Sequence, residues 1–209
     1  MTLDMLYKKV DACDFCRQAK NPLQHIHGVG ARKPRYMLVL INPTYKNISS
    51  APGYGGPRFP FVGLRQFWNI LGKAGLIQEL ELPSRSGWQD EHTQLIQKEI
   101  KRNRLFITNI VKCCYDHPDY PAREVIEHQK DILKEEIRII QPRQIIAFGA
   151  LTFKALTGLP IKLSEYWSER TQKFSENISG LDTSVIPCYF PIGRGSPQKA
   201  TKALQTIYA

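Results

Sequence analysis

Four short, mostly apolar runs constrain the fold of this chain more than any other feature of its sequence. They cover residues 36–41, 105–111, 144–148 and 185–189. Because they are continuous instead of strictly alternating, they predict strands that are buried on both faces, as in a parallel sheet. Helical patterns separate or follow them at residues 64–74, 91–102, 121–140, 150–156 and 197–208. This order predicts an α/β fold: a three-layer sandwich with a central, mainly parallel four-stranded sheet flanked by helices.

Length and composition indicate one globular domain over residues 1–209, with 42% hydrophobic and 23% charged residues. No run approaches the ~18 apolar residues that cross a bilayer, and the N-terminus lacks the apolar core of a signal peptide. We therefore expect a cytoplasmic protein without membrane association, and a monomer. The formal net charge of +10 predicts a polyanionic partner such as DNA, with solubility alone as the simpler explanation.

Two asparagines stand where predicted strands end, and ligands of α/β sheets bind beyond the carboxyl ends of their strands. Asn42 closes the first run, and Pro43 favours an extended backbone for it. Asn109 lies near the end of the second run. A side-chain amide can orient a water molecule, and its paired donor and acceptor can read the edge of a base. An asparagine that caps a turn, or one that satisfies loop backbone, is the simpler alternative at each position.

The loop after the first run is rich in glycine, proline and aromatic residues. Phe61, in the segment PFVG, and Tyr45 are candidates to stack on a base. Such stacking contributes roughly 1–3 kcal/mol per base. For Phe61 alone, ordinary core packing is the simpler alternative.

The segment after the last run reads CYFPIGRGSPQ and has the composition of a phosphate-binding turn. Gly193, Arg194, Gly195 and Ser196 are the candidate DNA contacts. Glycine lets a phosphate backbone approach closely, while the arginine and the start of the next helix supply positive charge. A simple glycine-rich turn is the alternative.

Five cysteines in a chain without a secretion signal do not indicate a disulfide framework. Cys13 and Cys16 form a CxxC pair, and Cys113 follows the second run. Cysteine sites are usually four-coordinate, and His128, on the inward face of a predicted helix, is the best fourth ligand. These residues predict one structural metal centre, Zn²⁺ or [4Fe–4S]. A redox dithiol for the CxxC pair and a core histidine are the alternatives.

Taken together, these segments resemble the uracil-DNA glycosylase superfamily over nearly the whole chain. PRFPFVG, ITNIVKC and PRQIIAFGALTFKALTG are similar, in order and spacing, to motifs of its iron–sulfur branch. The first motif departs from that branch, because LINPT stands in place of GEAPG and is similar to the GINPG of the mismatch-specific branch. In the last motif, Phe190-Pro191-Ile192 replaces His-Pro-Ser, so the histidine that faces the leaving base is missing.

The resemblance implies a monofunctional DNA glycosylase that flips a base and hydrolyses its N-glycosidic bond. It implies that Asn42 positions the water, Phe61 stacks on the base and Asn109 binds its edge. The fourth cluster cysteine of the family falls at Gln129, beside His128, which would make the site Cys3His. The substrate would be a uracil-like, mismatched or modified pyrimidine, including modified cytosine in phage DNA as part of antiviral defence. A non-catalytic nucleic-acid-binding module on the same fold is the alternative.

Overall fold

The computed structural model describes residues 1–15, 23–115, 120–168, 174–178, 180–193 and 195–208. Helices and strands alternate through much of this part of the chain. In chain order they are α1 Leu3–Asp11, β1 Val29–Gly30, β2 Tyr36–Leu40, α2 Arg65–Lys73, α3 Asp90–Arg102, β3 Leu105–Asn109, α4 Arg123–Ile140, β4 Gln144–Phe148, α5 Ala150–Thr157, α6 Leu163–Ser168, β5 Phe174–Ile178, β6 Leu181–Cys188 and α7 Pro197–Tyr208. None of these helices is long and apolar enough to cross a membrane.

The strands form one mixed sheet of six strands in the order β1-β3-β2-β4-β6-β5. The four central strands are parallel, as the apolar runs predict. The predicted count of four strands is wrong, because an antiparallel strand is added at each edge. Neither edge strand has an apolar pattern: β1 has two residues, and the alternate residues of β5 are exposed to solvent. An edge strand needs one covered face at most, so its sequence carries a weak signal.

Helices cover both faces of the sheet, which confirms the three layers. Successive side chains of a strand point to opposite faces. In β2, Leu38 and Leu40 pack in a core with side chains of α2, α3 and α7. Met37 and Val39 pack on the other face with side chains of α4 and α5. The apolar runs are therefore continuous because their alternate residues pack into two cores, one on each face of the sheet.

Several boundaries differ from those predicted, each for a local reason. The strands predicted to reach residues 41 and 111 end at Leu40 and Asn109, and α4 begins two residues later than predicted, since Ala122 is extended with ψ 153°. Strand β6 begins at Leu181, four residues early, because its polar start pairs with β5. Helix α1 was not predicted, although Thr2 caps it by accepting a hydrogen bond from Met5 N at 3.2 Å.

The register of the parallel strands brings their carboxyl ends to one edge of the sheet. Leu40 of β2 pairs with Asn109 of β3, and Phe148 of β4 pairs with Cys188 of β6. Neighbouring strands lie about 4.8 Å apart. The residues that follow these ends, Asn42 among them, therefore share the edge at which α/β sheets bind ligands.

Candidate active site

Asn109 is the most unusual polar residue at this edge. It is the last residue of β3, and only 1% of its surface is exposed. Neither Nδ2 nor Oδ1 has a hydrogen-bond partner among the residues that the structure describes. A buried polar group without a partner costs roughly 1–3 kcal/mol. The geometry contradicts the simpler alternative, in which this side chain satisfies loop backbone, and it leaves a donor and an acceptor ready for a ligand.

Asn42 follows β2 at the same edge and is half-buried. Its Nδ2 donates a hydrogen bond to the Pro43 carbonyl at 3.0 Å, which fixes the carboxamide locally. Backbone pairing continues past the strands, because Val111 N donates to the Ile41 carbonyl at 2.9 Å. The side-chain oxygen of Asn42 is thus held at a defined place, where it can accept a hydrogen bond from a water molecule.

Phe61 lies in a strained backbone conformation in the loop that approaches this edge. Its φ is +66°, a left-handed value that a bulky side chain rarely adopts. The Phe61 carbonyl accepts hydrogen bonds from Trp68 Nε1 at 2.9 Å and from Leu64 N at 3.0 Å. Its ring stacks on Phe67 with centroids 3.8 Å apart and remains partly exposed. Strain of this kind, about 1–3 kcal/mol, clusters at ligand sites.

Asn47 supports this loop, and sequence reasoning missed it. It is 2% exposed, and its Nδ2 donates to the Phe59 carbonyl at 2.8 Å. Its Oδ1 accepts from the backbone and the hydroxyl of Ser49 at 3.1 and 2.8 Å. An asparagine followed by small polar residues is a common turn signal that could have revealed it. Asn47 therefore holds the segment that precedes Phe61 in place.

Tyr45, a candidate base contact, lies on the surface with 39% exposure. Its backbone N–H donates to the Tyr115 carbonyl at 2.8 Å, and its carbonyl accepts from Arg85 Nη2 at 3.0 Å. These bonds fix the backbone of Tyr45 and leave its ring accessible. The structure thus places Tyr45 three residues beyond Asn42 on the rim, and its role as a base contact stays a prediction.

The glycine-rich turn after β6 has a tight backbone. At Gly195, an added Cβ would lie 2.0 Å from the Phe190 carbonyl oxygen, so no larger residue fits without movement. Gly193 adopts a left-handed φ of +61° with open space around it, and Ser196 N donates to the Phe190 carbonyl at 2.9 Å. Arg194, the charged member of the predicted phosphate contacts, lies outside the described residues. The described turn leads directly into α7 at Pro197.

Part of the predicted metal site is brought together between α1 and α4. Cys13 Sγ lies 3.6 Å from His128 Nε2. Gln129, fully buried beside them, approaches Cys13 Sγ at 3.7 Å and Cys113 Sγ at 4.0 Å through Nε2. Cys16 lies outside the described residues. Within the described ranges, no group of three or more His, Cys, Asp or Glu could hold a metal ion, and Cys113 is disulfide-bonded.

Three of the histidines in the described part of the chain have partners away from the strand ends. His27 pairs with Asp11 at 2.9 Å, His92 accepts from Gln89 N, and His128 stacks on Phe15. The segment Phe190-Pro191-Ile192 carries no histidine. The site therefore offers amides and aromatic rings where the family resemblance implies an imidazole.

An aromatic ring on a strained backbone and two carboxamides at the carboxyl edge of a parallel sheet suit the binding of a flat heterocycle with a polar edge. A profile of the Uracil DNA glycosylase superfamily matches residues 27–208, so the chain belongs to this superfamily. It is a DNA glycosylase, and therefore a hydrolase. The chain is similar to the Type-4 uracil-DNA glycosylase of Pyrobaculum aerophilum. The two are 29% identical over 194 residues, which cover 91% of this chain and 83% of that protein.

Proposed function

We propose that the protein is a monofunctional DNA-repair glycosylase that flips a uracil-like, mismatched or modified pyrimidine out of the duplex and hydrolyses its N-glycosidic bond. The observation that carries this proposal is the buried carboxamide of Asn109, whose two polar atoms have no partner in the described structure. A pyrimidine presents an adjacent donor and acceptor that pair with both atoms of such an amide. Flipping costs a few kcal/mol, which contacts of this kind repay.

The ring of Phe61 supplies the second contact with the base. Its left-handed backbone and its stack on Phe67 hold the ring in one orientation before substrate arrives. A base that stacks on such a ring is stabilised by roughly 1–3 kcal/mol. Asn109 then sets the in-plane orientation of the base and Phe61 sets its plane.

Asn42 positions the attacking water in this proposal. The C1′–N bond breaks with its electron pair on the base, water adds to C1′, and the water proton passes to the base or to solvent. An amide is a poor general base, so the reaction depends on departure of the base before the water is deprotonated. Asn109 Nδ2 can donate to the oxygen on which the charge of the leaving base develops. This mechanism favours bases that leave readily, uracil and modified pyrimidines included.

Release of base from chemically defined DNA tests the proposal. Duplexes carrying uracil opposite adenine or guanine, and phage DNA with modified cytosine, are incubated with the protein and cleaved with alkali. Strand breaks that disappear in Asn109→Leu and persist in Asn103→Leu support a glycosylase acting through Asn109. Asn103 is a matched control, because its amide caps α3 by donating to the Glu99 carbonyl at 2.9 Å, just before β3 begins. Tight DNA binding without any strand break would favour the non-catalytic binding module.

The glycine-rich turn is our proposed contact with the DNA backbone. The close approach of Gly195 to the Phe190 carbonyl and the start of α7 support it. Replacing Arg194 by alanine is expected to weaken DNA binding and to lower its salt dependence by about one phosphate contact. The DNA affinity of the wild type and of the variant, measured in parallel from about 50 to about 200 mM salt, checks this. An unchanged slope of log affinity against log salt concentration would show that Arg194 does not contact a phosphate.

For the metal, the described residues bring two of the predicted ligands, Cys13 and His128, close together. Zinc ligated tetrahedrally by sulfur at about 2.3 Å and nitrogen at about 2.0 Å places the two ligand atoms about 3.5 Å apart. Cys13 Sγ and His128 Nε2 are 3.6 Å apart, which is close to this separation. The described residues do not by themselves form a group that could hold a metal ion, and Cys113 is disulfide-bonded. We propose that Cys13, Cys16, Cys113 and His128 come together around one metal centre, Zn²⁺ or [4Fe–4S], once Cys113 is reduced. Zinc there would be structural, tying α1 to α4. Elemental analysis of protein purified under reducing conditions decides, and absorbance near ~400 nm with iron present would favour [4Fe–4S].

A further inference from the structure

Directly behind Asn109 lies a buried ion pair that the proposed chemistry does not use. Lys112 Nζ and Glu136 Oε2 are 2.6 Å apart, and both side chains are 0% exposed. The same ammonium donates to the Asn109 backbone carbonyl at 2.8 Å and to the hydroxyl of Thr108. All three N–H groups of the lysine therefore have acceptors, and one of them is the backbone of the residue that we place on the base edge.

Glu136 is itself held from two further segments. Its Oε1 accepts a hydrogen bond from the Tyr7 hydroxyl at 2.6 Å, which ties α4 to α1. Burial and the neighbouring carboxylate raise the pKa of Tyr7, so its hydroxyl stays a donor. The Thr108 hydroxyl donates to Oε2 at 2.8 Å. At Gly28, an added Cβ would lie 2.6 Å from Oε1, so the chain leaves room for this carboxylate.

Stability alone is a poor explanation for this pair. Moving two charges out of water costs several kcal/mol per ion, and apolar replacements of buried pairs are often neutral or stabilising. The inward positions around Glu136 on α4 are apolar, at Leu133, Ile137 and Ile140. A buried pair kept among such residues is best explained by the geometry that it imposes.

The geometry that the ion pair imposes is the orientation of Asn109. Its side chain has no hydrogen-bond partner among the described residues, so contacts of its own amide do not fix its direction. The direction depends on the backbone at the end of β3, and Lys112 holds the Asn109 carbonyl there at 2.8 Å. A carboxamide that is held before the base arrives needs no reorganisation during the reaction.

We propose that Lys112, anchored by Glu136, is a positioning residue that fixes the end of β3 so that the Asn109 carboxamide meets the base edge in a productive orientation. The inference rests on the proposed role of Asn109. A misplacement of about 1 Å in a reacting constellation costs about 100-fold in rate. Loss of the lysine contact should therefore slow base release by about that factor, while contacts with the DNA backbone persist.

A pair of substitutions separates positioning from stability. Lys112→Met and Glu136→Gln singly each leave a buried group without its counterpart, and both should destabilise the protein. The double variant removes both charges. The glutamine oxygen still accepts from Tyr7, and the glutamine NH2 can donate to the Thr108 hydroxyl oxygen, so the thermal stability of the double variant should return close to wild type. We expect single-turnover base release by the double variant to stay about 100-fold slow, with DNA affinity nearly unchanged. A double variant with wild-type stability and wild-type rate would overturn the proposal.

A second measurement does not depend on catalysis. The side-chain amide resonances of Asn109, identified by their loss in Asn109→Leu, should shift or broaden in the double variant of the full chain. Lys134→Met is the matched control, since Lys134 pairs with surface Asp131 at 3.0 Å, and it should leave those resonances and the rate unchanged. If the wild type released no base, the proposed function would fail, and these resonances alone would decide: unchanged signals refute positioning by Lys112. Elemental analysis of each variant checks that its metal content is unchanged, because Cys113, a proposed metal ligand, is next to Lys112.

Discussion

Replacement of Asn109 by leucine should stabilise the protein while it abolishes base release. Leucine has the same branched arrangement of side-chain heavy atoms as asparagine and no polar atoms. The substitution removes two buried groups, Nδ2 and Oδ1, that have no partner in the described structure. Each such group costs roughly 1–3 kcal/mol, so the lower end gives a gain of about 2 kcal/mol in the free energy of unfolding.

For a domain of 209 residues, a gain of about 1 kcal/mol raises the melting temperature by roughly 2–4 °C. Thermal unfolding should therefore show an increase of about 4–8 °C in Asn109→Leu. Chemical denaturation checks the free energy independently through an unchanged slope and a higher midpoint. The same protein should release no base from any substrate on which the wild type is active, since binding sites commonly sacrifice stability for function.

Asn103→Leu provides the matched comparison, because the side-chain amide of Asn103, unlike that of Asn109, makes a hydrogen bond. Its Nδ2 donates to the Glu99 carbonyl at 2.9 Å, so its loss should lower stability by about 0.5–1.5 kcal/mol and spare activity. Opposite signs for the two substitutions are the decisive result. A destabilised Asn109→Leu protein that still releases base would refute the assignment of Asn109 as an unpartnered ligand group.

The remaining predictions concern the water, the turn and the pH dependence. Asn42→Ala should slow single-turnover base release by at least about 100-fold with DNA affinity nearly unchanged, and equal losses in both would argue against a role in the chemical step. Gly195→Ala should weaken DNA binding and lower the melting temperature, because its Cβ would lie 2.0 Å from the Phe190 carbonyl, whereas Gly55→Ala, with open space, should change neither. Burial raises the pKa of Asp11, but its arginine and histidine partners outweigh burial and hold that pKa below the usual 3.8. Its carboxylate therefore stabilises the fold above that pH and loses this contribution on acidification, so Asp11→Asn should lower the melting temperature at pH 7 and not at pH ~2; a constant difference across pH would contradict this.

The central architecture followed from the sequence because its cause is local and repeated. Continuous apolar runs mark strands that are buried on both faces of the sheet, and the four central strands lie where these runs predict. Helix α7 begins at Pro197 as predicted, since proline fits the first turn of a helix. The edge strands and α6 escaped prediction, because their half-exposed residues satisfy no strong pattern.

The candidate site likewise has features that the sequence predicts and features that it does not. Asn42 and Asn109 were identified because they end apolar runs, and the rule that ligands bind at strand ends needs no coordinates. Their energetic states could not be predicted. Whether a buried amide finds a partner depends on side chains distant in sequence, and the left-handed φ of Phe61 depends on Trp68 and the loop around it.

Lys112 shows most clearly where sequence reasoning ends. A lysine in a chain with a net charge of +10 is expected on the surface, yet this one is fully buried against Glu136, 24 residues away. The sequence by itself determined the layers of the fold, the edge of the sheet that forms the candidate site and the candidate residues at that edge. Only the tertiary structure decided which of those residues are satisfied, strained or held by a buried charge, because desolvation and hydrogen bonding depend on neighbours that folding brings together.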